Sequence, residues 1–152
     1  MQTRPVKSLS DQQVADLKAG RGMGLAMPAE LNGYPGPAHV LELAGQLRLS
    51  ADQKARVQSL FDSMKAEAVP LGEKLLDQEA TLDHLFASHS ITADSLKTIT
   101  AKIGVTRAVL RDTHLKYHLQ TAQILTPEQM QRYSALRGYG SGAMMQHHHD
   151  MQ

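Results

Sequence analysis

Two long stretches of this chain gather their apolar residues on one helical face, and no other feature constrains its fold as tightly. The first carries Val57, Phe61, Met64, Ala68, Leu71, Leu75, Leu82 and Leu85, with only Gln78 breaking the stripe. The second carries Leu96, Ile99, Ile103, Leu110, Tyr117, Thr121 and Ile124. At roughly 100° per residue, each set falls on one side of a helix. No segment alternates apolar and polar residues with period two, so the fold class is all-α. Ser90-Ile91-Thr92-Ala93-Asp94 reads as the turn between two long helices. Pro70 lies inside the first and removes a backbone donor, which predicts a kink near Ala66–Val69.

Shorter helices are marked by their caps. Ser10, followed by Asp11, starts one that Gly20 ends. Residues 20–37 hold so much glycine and proline that they read as an irregular connector. Gly20-Arg21-Gly22-Met23-Gly24 has no strand before it and no Gly-Lys-Ser/Thr after it, so it is not a phosphate loop. Pro37 suits the first position of a helix reaching about Leu47. Ser50 caps the long helix that follows. Thr126, Pro127 and Gln129 form a capping box for a last helix ending near Leu136. The organisation expected is an arm over 1–37, whose first eight residues are loose, a helical domain over 38–138, and a flexible Met/His-rich tail over 139–152.

Composition narrows the function. A formal charge of +1 leaves no basic surplus to neutralise phosphates, and aromatics are only 4% of the chain, so nucleic acid is not an expected partner. The absence of cysteine removes thiolate chemistry and leaves His, Met, Asp and Glu as metal ligands. No apolar run is long enough to span a bilayer, and no basic-then-apolar leader is visible. There is neither a nucleophile elbow nor an HExxH pattern, so an enzyme is not expected.

Leu49-Ser50-Ala51-Asp52-Gln53 and Leu125-Thr126-Pro127-Glu128-Gln129 both fit an LTxxQ box, the first with Ser for Thr. Two such boxes one long helical hairpin apart resemble the Spy/CpxP family of periplasmic proteins, including its ZraP- and CnrX-like metal-linked branch. The resemblance covers roughly residues 38–138, and its motif residues here are Leu49, Ser50, Gln53, Leu125, Thr126 and Gln129. It implies a bent four-helix hairpin that pairs as an intertwined antiparallel homodimer in the periplasm. It also implies one of two roles, metal binding or ATP-independent chaperoning. The partners would be unfolded clients or a membrane-bound sensor.

The histidines direct the first of those roles. His114 and His118 are an i, i+4 pair whose rings share one helix side and could chelate one divalent ion. Relative to Leu110 they lie about 40° and 80° round the helix, so His114 should be partly buried and His118 at the edge of the seam. CnrX-type proteins resemble this region in a His-xxx-Met pair, where His118 stands here in the second place. Further ligands could come from His39 or Glu42, or from Glu67 or Glu73 beside Pro70. His84 and His89 flank the turn and read as surface residues. The tail carries Met144, Met145, His147, His148, His149, Asp150 and Met151 within eight residues. Thioethers and imidazoles together suit Cu, Zn or Ni/Co. The reading that follows is a periplasmic transition-metal-binding protein of metal tolerance or envelope stress, with a Spy-type holdase as the alternative. Leu43, Leu47, Val109, Leu115 and Leu119 are left as apolar surface for the partner copy.

Overall fold

The computed structural model describes residues 6–139, and among them it is helical with no strand. Six helices follow in order: α1 (Asp11–Ala19), α2 (Met27–Glu30), α3 (Pro37–Glu42), α4 (Ala51–Ala87), α5 (Ala93–Ala122) and α6 (Pro127–Leu136). The two stripes form α4 and α5, with Thr92 and Ser95 exchanging cap hydrogen bonds of 2.9 and 3.1 Å at the start of α5. Helix α4 continues through Pro70. Both Pro70 and Ala66 are exposed, so the carbonyl that proline leaves without a donor can be hydrated. No helix is long and apolar enough to cross a membrane among the described residues.

The chain divides into two compact units: Met1–Met23 with Met64–Thr113, and Gly24–Ser63 with His114–Gln152. Each long helix contributes to both. In the first unit, α1 lies against the middle of α4. Gly72 makes that approach possible, because a Cβ there would collide with the carbonyl oxygen of Leu17. A glycine inside a helix costs about 1 kcal/mol against alanine, so here close backbone contact outweighs helix propensity. Arg107 of α5 bonds Glu79 of α4 at 2.7 Å. Residues 6–8 are not the loose arm expected of them. Val6 and Leu9 are buried, and Lys7 grips both carboxylate oxygens of Asp83, through its backbone N–H and its ammonium, at 2.9 Å each.

The second unit has its own core of Val40, Leu47, Val57, Leu125 and Tyr133. Leu47, expected as spare surface, is 1% exposed. The helix expected to reach it stops at Glu42, and turns carry the chain to Arg48, whose φ is 55°. That detour turns Leu47 inward. The 20–37 connector is also more ordered than its composition suggests, since it contains α2 and buries Glu30, Pro35, Gly36 and Pro37.

Gly72→Ala should destabilise the protein by about 2 kcal/mol, the usual scale for overpacking. Although alanine is the better helix former, thermal denaturation is expected to show a lowered midpoint.

Candidate functional site

The two boxes meet in the second unit. Each is a complete capping box: Ser50 Oγ accepts from Gln53 N–H at 3.0 Å while Gln53 Oε1 accepts from Ser50 N–H at 2.9 Å. Thr126 and Gln129 repeat this at 3.1 and 2.9 Å. The glutamines then join the two helix starts. Gln53 Nε2 donates to Gln129 Oε1 at 2.8 Å, and Gln129 Nε2 donates to Gln53 Oε1 at 3.0 Å. Their remaining amide protons go to the carbonyls of Ile124 and Leu47, both at 3.1 Å. Glutamate could serve as the cap acceptor, but it has no N–H to cross the gap. The chemistry of the join therefore requires glutamine at both positions.

Residues 38–137 match the family described as LTXXQ motif family protein. The chain belongs to that family. This is the family of Spy/CpxP-type proteins. Comparison with curated proteins and with solved structures finds no match.

Beside the family motif lies a buried polar cluster centred on Glu30, a residue the helix pattern does not bring forward. Its carboxylate accepts from His118 Nε2–H at 2.9 Å, from Gly36 N–H at 3.1 Å and from the Tyr133 hydroxyl at 2.8 Å. His118 Nδ1–H donates to the carbonyl of His114 at 2.8 Å. Both nitrogens of the His118 ring thus face oxygen atoms. Burial pushes the Glu30 carboxyl up. The hydrogen bonds from His118, Tyr133 and Gly36, with the His118 charge, outweigh it and hold the group below the usual carboxylate range. Burial, and then the Glu30 hydrogen bond and charge, push the Tyr133 hydroxyl far up, so it stays a donor.

Local sequence explains how Glu30 arrives there. Pro28 opens the single turn of α2, and Asn32 ties back to the Pro28 carbonyl at 2.8 Å. Pro35 and Pro37 hold the next segment extended, which aims Gly36 N–H at the carboxylate. A Cβ at Gly36 would sit 2.5 Å from His118 Nε2, so only glycine fits. One cue to Glu30 was available: it is the only Asp, Glu, Lys or Arg between Arg21 and Glu42.

The expected ligands are placed as follows. His114 and His118 are both buried, at 2% and 8% exposure, deeper than their helical angles predicted, and Glu30 and Gly36 lie against the His118 ring. His114 Nε2 has no hydrogen-bond partner. Burial, and secondarily the His118 charge, lower its pKa and keep it neutral. His39 pairs instead with Glu42, at 3.0 Å. Glu73 is exposed on α4 in the first unit, whereas the histidine pair belongs to the second. Met144, Met145, His147, His148, His149 and Met151 lie outside the described residues, as does all of the tail after Tyr139. Among the described residues no three His, Asp or Glu are grouped to hold a metal ion. As placed, both His118 nitrogens are engaged, by the Glu30 carboxylate and the His114 carbonyl.

Two predictions follow from these contacts. Gln53→Glu should cost about 2 kcal/mol in urea unfolding, the scale for leaving partly buried carbonyls without donors. The pH dependence has one sign from two groups. His114 stays neutral in the fold, so stability is lost as pH falls below the ordinary imidazole value of 6.5, where the unfolded chain takes up the proton. Glu30, held low, contributes stability that is present above the ordinary glutamate value of 4.5 and lost as pH falls further. Glu30→Gln keeps an acceptor for His118 and lets the Tyr133 hydroxyl turn to accept. Melting curves should show the variant with a flatter slope below pH 4.5 than the parent chain.

Proposed function

We propose that this chain is an ATP-independent holdase of the periplasm that acts as a homodimer and captures unfolded polypeptide on apolar surface of its first unit. The observation that carries the reading is how that unit exposes its apolar side chains. Phe86 on α4 is 53% exposed and Val105 on α5 is 65% exposed, with Leu96 and Val109 also in solvent. Two open grooves lie in the same unit, one lined by Leu82, Phe86 and Ala87 and the other by Val6, Val14, Leu76 and Ala80. Charged residues are interspersed with this surface, which suits reversible contact with a heterogeneous chain. Membership of the Spy/CpxP-type family supports both the location and the role.

The tail supports a second reading, transition-metal binding. His147, His148 and His149 with Met144, Met145 and Met151 form a dense set of soft and borderline donors. Cu, Zn or Ni/Co are the ions such donors take, and metal tolerance is the role this would serve.

Aggregation of a heat-unfolded client, followed by light scattering, distinguishes the readings. Equimolar chain without added metal should suppress it, and a chain ending at Tyr139 should suppress it as well. Unchanged aggregation would remove the holdase reading. Metal titration by calorimetry on the two chains should show binding to the full chain alone, weakening as pH falls through about 6.5, where imidazole protonates.

A further inference from the structure

We infer that the groove between α1 and α4 selects polypeptide segments in which basic residues alternate with apolar ones. This deepens the holdase reading and rests on it. The groove has a volume of about 420 Å³, room for a few side chains, with Val6, Val14, Leu76 and Ala80 on its walls. Its rim carries three carboxylates, Asp11, Glu73 and Asp77, against one cation, Lys18.

The acids of that rim are not spent on neighbouring cations. Elsewhere in the unit, Asp16 is bonded by Arg21, Asp83 by Lys7 and Glu79 by Arg107. Asp11, Glu73 and Asp77 have no such cation, and all three are exposed. The neighbouring groove along Leu82 and Phe86 has its two carboxylates, Glu79 and Asp83, already paired. Along the α1–α4 groove, three carboxylates stand beside apolar wall with one cation. A lysine or arginine suits this arrangement, since its stem covers apolar wall while its head reaches a carboxylate at the rim. A neighbouring valine or leucine in an extended segment can fill the space between. An acidic segment of equal hydropathy would face three unpaired negative charges. The attraction is between exposed groups, so salt must weaken it.

Fluorescence anisotropy with two labelled nonapeptides tests the inference. One alternates lysine and valine; the other alternates glutamate and valine. The lysine peptide should bind the full chain at least about tenfold more tightly at low salt, and the difference should shrink at high salt. Glu73→Lys with Asp77→Lys should remove or reverse the preference. Asp94→Lys with Asp112→Lys, exposed acids that do not line the groove, should leave it intact. Equal affinity for the two peptides overturns the inference, as does a preference that survives the Glu73/Asp77 change. The peptide comparison on the unaltered chain decides the matter even if a variant fails to fold. Aggregation suppression without peptide preference would reject the charge selectivity and leave the holdase reading standing. Failure of both would reject both.

Discussion

Two glutamine side chains hold the second unit to a single arrangement. Gln53 and Gln129 each accept from the backbone of their own helix start and donate to each other and to a carbonyl of the other segment. No donor or acceptor on either amide is left over. Such a join has one register, because shifting either helix start by a residue breaks the cap and the cross-link together. The core of Val40, Leu47, Val57, Leu125 and Tyr133 then forms around ends whose positions are already set.

Glu30 extends the same logic into the Gly/Pro connector. An ionised carboxylate in this core would be costly unpaired, and it receives three donors from three different segments. The connector consequently becomes part of the unit and not a tether to it. His118, the ring that pairs with Glu30, is the residue that helical spacing singles out as a metal ligand. In the fold its nitrogens serve an acid and a carbonyl.

What the sequence reveals of this protein is its periodic part. The stripes place α4 and α5, and the caps at Ser10, Ser50 and Thr126 place helix starts, because both signals are local. The LTxxQ spacing identifies the family by the same means. The partner of a buried histidine is a different kind of fact. Glu30 lies 88 positions from His118 along the chain, and no periodicity relates them. Lys7 and Asp83 are likewise invisible to helix patterns, so an ordered segment over residues 6–8 reads as loose. Leu47 misleads for a related reason: the pattern continues a helix where the chain turns at Arg48. The angular estimate for His118 assumed an uncovered helix face, and the connector covers it.

The two units therefore use their polar groups differently. In the second, Glu30, His118, Gln53 and Gln129 are committed within the unit, while in the first Asp11, Glu73 and Asp77 stand exposed beside an apolar groove. Hydrogen exchange on the full chain, with and without an unfolded client, tests that contrast most directly. The account predicts that the client slows exchange in residues 6–18 and 73–89 and leaves the segments around Glu30, Gln53, His118 and Gln129 unchanged. Protection confined to the second unit, or no client-dependent protection anywhere, would contradict it.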